Sequence, residues 1–120
     1  METIKSTDYT VVKVMDEPGS GGACHEYRVF AIIEDDPDED VSALATVSFQ
    51  NGAIQEAGVN GCQNEDLIAI VIHRLQGFQS GDFNCRDNAI ALTQLETALL
   101  WLQKRTNERR ARGVEGRYIA

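Results

Sequence analysis

The stretch that most constrains this chain is residues 84–113, NCRDNAIALTQLETALLWLQKRTNERRARG, which reads as one long helix. Leu92, Leu95, Leu99 and Leu102 recur at spacings of three and four and so share one helical stripe. Ile90, Ala91, Ala98 and Trp101 lie outside it, which makes the apolar face wider than one neighbouring helix needs. A helix that is apolar on two sides is usually buried on two sides, often by a second subunit. Towards its end Arg105, Arg109 and Arg112 follow at i, i+4, i+7 along the line of Ala98 and Trp101. Cations in the last turns suit the helix macrodipole. The same forked donors suit a bound anion. Gly113 is the residue expected to leave the helix at positive φ.

Charge is placed unevenly. Residues 1–80 carry 4 Lys/Arg against 14 Asp/Glu, whereas residues 81–120 carry 7 against 5. An acidic surface repels polymeric nucleic acid over most of the molecule, yet a small anion can still be captured at the basic end. The 120 residues are enough for a single domain with a real core. No apolar run approaches the roughly 20 residues of a membrane span, and no apolar signal segment follows Met1, so a cytoplasmic protein is expected. Cys24, Cys62 and Cys85 are odd in number and form no CxxC pair; reduced, mostly buried thiols are expected.

Along the chain, residues 9–15 (YTVVKVM) read as a first strand, and DEPGSGGA as the loop after it. No GK[ST] or GxGxxG follows that loop, which favours a bare hairpin connection over a phosphate cradle. Residues 25–34 read as a second strand, with Tyr27, Val29 and Ala31 on one face and Arg28 and Phe30 on the other. Arg28 is either a binding residue or one half of a cross-strand ion pair. The acidic link EDDPDEDVSA lacks the spacing of a calcium loop and reads as a solvated turn. Residues 44–49 make a third strand, Gln50-Asn51-Gly52 a tight turn, and residues 53–56 a candidate fourth strand. Residues 65–78 (EDLIAIVIHRLQGF) form a helix with Asn64 as N-cap. Its stripe is Leu67, Val71, Leu75 and Phe78, widened by Ile68 and Ile72. The short link QSGDFN makes the two helices an antiparallel hairpin. The expected fold is therefore α+β. A small antiparallel β-sheet (about 8–58) is followed by a long antiparallel helical hairpin (about 64–112) and a tail, 113–120.

No catalytic constellation assembles. His25 and His73 with the three cysteines match no zinc spacing, and there is no nucleophile elbow, metalloprotease helix or Walker loop. Phe78 and Phe83 bracket the interhelix turn, Asn88 begins the long helix and the arginines end it. Each has a plain alternative: Phe78 as core, Phe83 as a plug under the turn, Asn88 as a helix-start residue. Asn88 and Arg105 stand roughly 25 Å apart along a helix rising 1.5 Å per residue. A mononucleotide-sized ligand can touch both only where long helices of two subunits run antiparallel.

The run VSFQNGAIQEAGVNG, with the patterns FQxG…CRxNAxAL and WLxxRTxxRxxRGVEG, resembles the phage proteins of the first Thoeris anti-defence family. The hairpin is also similar to that of the phage anti-CBASS sponges. The resemblance is close over residues 44–116 and looser over 25–34. It implies a non-enzymatic sponge, without cofactor or metal, in the cytoplasm of the infected bacterial host. Such a protein sequesters cyclic nucleotide immune signals, chiefly glycocyclic ADP-ribose made by TIR-domain proteins. Some members also take cyclic di- or trinucleotides at a separate site. The family implies a homo-oligomer, commonly a hexamer built from dimers, with pockets between protomers. By the resemblance, Phe78 stacks on the adenine, Asn88 bonds the base or ribose, and Arg105 and Arg109 hold the diphosphate. Arg28 and Phe83 would add contacts, with Arg112 and Arg117 covering the site from the tail. Two other classes stay open: a cyclic-nucleotide hydrolase, which needs a base or metal near the arginines, and a protein–protein adaptor or inhibitor using the two-sided helix.

Overall fold

The computed structural model describes residues 2–32 and 43–120. They form two compact units, Met1–Cys62 and Gln63–Ala120. The acidic link expected as a solvated turn falls almost wholly outside the described residues.

The first unit is a four-stranded antiparallel sheet in the order β1 (Thr3–Ser6), β2 (Thr10–Val14), β3 (Glu26–Ala31), β4 (Ala43–Ser48). The β-branched run TVVKV makes β2 a strong strand, and Val11 and Val14 are buried. Phe30 of β3 lies opposite Val11 and is the most enclosed side chain among the described residues, 2 % exposed. Strand β1 was not foreseen, because its four residues are all exposed and show no alternation. What creates it is the turn ahead of β2: Thr7 Oγ1 accepts the Tyr9 and Thr10 amides at 3.2 and 3.0 Å, sending the chain back along Val11–Lys13.

The expected fourth strand at residues 53–56 is a helical turn instead, α1 (Ile54–Ala57). The edge of β4 that it needed is already used. Gln50 N donates to Cys62 O and Cys62 N to Ser48 O, both at 2.8 Å, in a parallel bridge between Phe49 and Cys62. Nor do residues 50–52 close a tight hairpin. Asn51 and Asn60 exchange amide bonds of 2.8 and 2.7 Å, and Gln50 Nε2 donates to Gly52 and Gly58 carbonyls. The loop is thus closed by side-chain amides across ten residues of chain, a pairing that no short-range turn signal encodes.

The second unit is the helical hairpin, α2 (Asn64–Gln79) and α3 (Arg86–Ala111). The N-cap of α2 is Gln63, not Asn64, and Asp66 Oδ2 accepts the Gln63 amide at 2.9 Å. Ile72 is its buried residue, while Val71, placed by periodicity on the inner stripe, is exposed; the buried face is rotated towards Ile68 and Ile72. In α3 the inward line runs Asn88, Leu92, Leu95, Leu99, Leu102, Thr106 and Arg109, all partly or fully buried. Its end is a Schellman motif: Gly113 N donates to Arg110 O at 3.1 Å and Val114 N to Arg109 O at 3.0 Å, with Gly113 at φ 73. No described helix is long and apolar enough to cross a membrane.

Candidate functional site

The residues singled out from sequence fall into three places. Arg28 is in the sheet unit. Phe78, Phe83 and Asn88 are at the turn end of the hairpin, and Arg105, Arg109 and Arg112 are near the other end of α3.

At the turn end, the Gln79 side chain both donates to Cys85 O and accepts from Cys85 N, at 3.1 Å each way, which fixes the start of α3. Cys85 is the N-cap, its Sγ accepting the Asn88 amide at 3.4 Å. This thiol is exposed, against the expectation of mostly buried cysteines, because the cap position faces solvent. Phe83 is 77 % exposed and is no plug under the turn: the bonds of Gln79 and Asn84 close the loop without it. Phe78 is half-buried, and the Arg74 guanidinium lies over its ring, 5.0 Å from the centroid. Arg74 was passed over in the sequence; its i, i+4 spacing to Phe78 was the signal available. Asn88 is half-buried, and its carboxamide makes no hydrogen bond to any described residue.

At the far end, Arg105 is exposed and without hydrogen bond or ion pair to the described residues. Arg109 is different. It is 7 % exposed and belongs to the buried line of α3 rather than to the outer line of Trp101. Its Nε donates to Glu115 Oε2 at 3.2 Å, its Nη2 to Val114 O and Arg117 O at 2.9 Å each, and its Nη1 to Ile119 O. The tail 114–119 is thereby folded back over the helix end. Arg112 Nη2 donates to Ala120 O at 2.9 Å. Both acids of this segment are engaged, Glu108 with Lys104 and Glu115 with Arg109. The positive charge is left on Arg105, Arg110, Arg112 and Arg117, all exposed.

Arg28 is exposed on β3, with Lys13 of β2 and Thr46 of β4 as register partners. Neither position holds the cross-strand carboxylate considered from sequence: Lys13 is a like charge and Thr46 is uncharged. Lys13 Nζ lies 5.6 Å from the Phe30 ring centroid. The glycine-rich loop is occupied with itself: Gly22 N donates to Gly19 O and Gly19 N to Ala23 O, each at 2.9 Å. The Asp16 carboxylate takes the His25 and Glu26 amides, and the buried His25 ring sits 3.1 Å from Ser20 O. Burial raises the pKa of the half-buried Cys24 thiol, and Asp16, Glu17 and Glu2 push it the same way. Among the described residues no group of three or more His, Cys, Asp or Glu could hold a metal ion. A shallow groove lined by Leu100, Lys104, Asn107 and Ala111 contains none of the expected site residues.

By architecture this is an α+β protein whose C-terminal half is an antiparallel helical hairpin. Residues 43–107 match the family model described as Acb2/Tad1, hairpin domain, and the chain belongs to that family. A curated relative, Thoeris anti-defense 1 of Bacillus phage SBSphiJ7, is 66 % identical over 73 residues. That alignment covers 61 % of this chain and 51 % of the relative, so the match spans about half the relative's length. The resemblance noted from the FQxG…CRxNAxAL and WLxxRTxxRxxRGVEG patterns is borne out.

Proposed function

We propose that this protein is a phage anti-defence sponge that binds a cyclic nucleotide immune signal, chiefly glycocyclic ADP-ribose, and withholds it from its effector without chemical turnover. The observation that carries the reading is the arginine-rich end of α3. Both nearby carboxylates are paired there, and Arg105 stands exposed without a partner among the described residues. A diphosphate suits such forked donors. Family membership supports the same direction.

In this reading Phe78 stacks on the adenine and Asn88, whose carboxamide is uncommitted among the described residues, bonds the base or ribose. Arg105 and Arg109 take the diphosphate, and Arg112 lies beside them. Arg28 and Phe83 contribute contacts of lesser weight. Cyclic di- or trinucleotides would bind at a separate site. The protein acts in the cytoplasm of the infected host.

Asn88 and Arg105 lie at the two ends of one helix, so each complete site draws on two protomers. The hairpin has the surface for this. Ile72 is its one buried apolar residue, while Ile70, Val71, Leu100 and Trp101 are exposed. Two helices that leave this much apolar surface in water call for a further layer, supplied here by another copy in a homo-oligomer, a hexamer built from dimers.

Isothermal titration with glycocyclic ADP-ribose, followed by mass spectrometry of the heat-released ligand, tests the reading. Tight binding with intact ligand supports it. Released hydrolysis products would point to the cyclic-nucleotide hydrolase. Absence of binding to any cyclic nucleotide would leave the adaptor that uses the exposed Leu100–Trp101 face.

A further inference from the structure

A guanidinium has five N–H donors and no acceptor. At Arg109 these donors meet only oxygens: one carboxylate, from Glu115, and the carbonyls of Val114, Arg117 and Ile119. A diphosphate offers the same kind of acceptor with its charge concentrated on adjacent phosphates. The donors that the tail now occupies cannot serve both at once. We propose that residues 114–119 are an internal occupant of the Arg109 anion site, and that the ligand's diphosphate displaces them. The proposal rests on the sponge reading and adds a device to it: the site is closed by its own chain until ligand arrives.

Three features make the tail suited to this. A buried arginine with no partner is costly, so an internal occupant keeps the empty state folded. Beyond the Arg109 side chain, Val114 N bonds back to the helix end and the exposed Arg112 holds Ala120. Tyr118 and Ile119 are exposed, so release forfeits little apolar burial. The chain reverses at Gly113 and Gly116, with φ of 73 and 75, a backbone that folds the tail back without strain. Arg105 stands one turn before Arg109 on the helix, exposed and unpartnered among the described residues. An incoming phosphate meets Arg105 first, and exchange of Glu115 for phosphate at Arg109 follows.

Such competition lowers the apparent affinity by the fraction of molecules whose tail is open. Glu115→Gln keeps the shape of the occupant but removes its charge. Titration of the wild type and of this variant with glycocyclic ADP-ribose is combined with hydrogen exchange at the Arg117 amide, which bonds Val114 O at 3.0 Å in the closed tail. The expected result is loss of protection at Arg117 on ligand binding and an affinity about two- to fivefold tighter in Glu115→Gln, the worth of a modest partly exposed ion pair. Arg109→Lys, which keeps the charge but loses the fork, should free the tail without ligand. Binding with the Arg117 amide still protected, or an unchanged or weaker affinity in Glu115→Gln, overturns the internal occupant and leaves the sponge intact. No binding of this ligand by either protein overturns the sponge reading and the proposal with it.

Discussion

Asn88 and Arg105 stand on one unbroken helix, Asn88 in its first turn and Arg105 two turns short of its end. A rise of 1.5 Å per residue separates them by roughly 25 Å. A ligand that needs both must take them from different protomers. Asn88→Ala and Arg105→Ala should each abolish most binding alone. When the two variants are mixed and allowed to exchange subunits, about one quarter of the sites should recover, because half of the pairs are mixed and each mixed pair rebuilds one site. Titration after refolding the mixture counts those sites, and no recovery would show that one protomer supplies the whole site.

Leu100 and Trp101 are 68 % and 65 % exposed in the single chain, next to each other on the outer side of α3. Buried aromatic anchors dominate subunit interfaces. Trp101→Ser should raise the dissociation constant of the oligomer by at least about tenfold, with Leu100→Ser acting in the same direction. Analytical ultracentrifugation reads the shift directly. A variant that sediments as the wild type does would remove this face from the interface.

Gly61 is constrained by space. A Cβ there would overlap the backbone of Phe49, across the bridge that joins residues 49 and 62. Backbone cannot move aside as a flexible side chain can. Gly61→Ala should cost about 2 kcal/mol, and the Gln50 and Cys62 amides, both bonded across this bridge, should exchange faster. Wild-type protection at these two amides in the variant would refute the contact.

The long helix, its glycine exit and the hairpin were legible because 3.6-residue periodicity and helix-end chemistry are local signals. The errors have a common physical origin in contacts distant along the chain. Residues 53–56 have strand composition, yet their edge is taken by Cys62, and Asn60 reaches back to Asn51. Strand β1 exists only because Thr7 turns the chain onto β2. At the candidate site, residue type alone made Phe78, Phe83, Asn88 and the arginines candidates with plain structural alternatives, and their binding roles followed only from the family resemblance. The division among the arginines was hidden, since burial of Arg109 depends on a tail whose carbonyls carry no sequence signal. The Arg74–Phe78 contact was hidden for the opposite reason: a lone cation on a helix face is common, and only the ring beneath it sets it apart.

Cys24 gives a pH-dependent test of the sheet unit. Its thiol pKa is raised, first by desolvation and then by Asp16, Glu17 and Glu2, so its thiolate forms only at higher pH than in a free cysteine. The pH midpoint for its alkylation by iodoacetamide should lie above that of a model thiol, and Asp16→Asn should bring it down. Mass-spectrometric peptide mapping separates this site from Cys62 and Cys85. A midpoint at or below the model value would mean that the loop carrying Asp16 and Glu17 does not pack beside Cys24.

Arg74 covers one face of the Phe78 ring at 5.0 Å and makes no hydrogen bond or ion pair with the described residues. In the proposed site a base stacked on Phe78 would take the opposite face, with the guanidinium holding the ring in place beneath it. Its donors remain available to the ligand. An exposed cation–π contact is worth about 0.5–1 kcal/mol, so Arg74→Ala should weaken glycocyclic ADP-ribose binding by about two- to fivefold. Phe78→Leu keeps the apolar volume but loses the stacking face and should weaken binding more than Arg74→Ala does. The double variant tests the coupling. If Arg74 acts through the ring, its loss should add little once Phe78 is leucine, whereas full additivity would show that the two side chains serve the ligand separately.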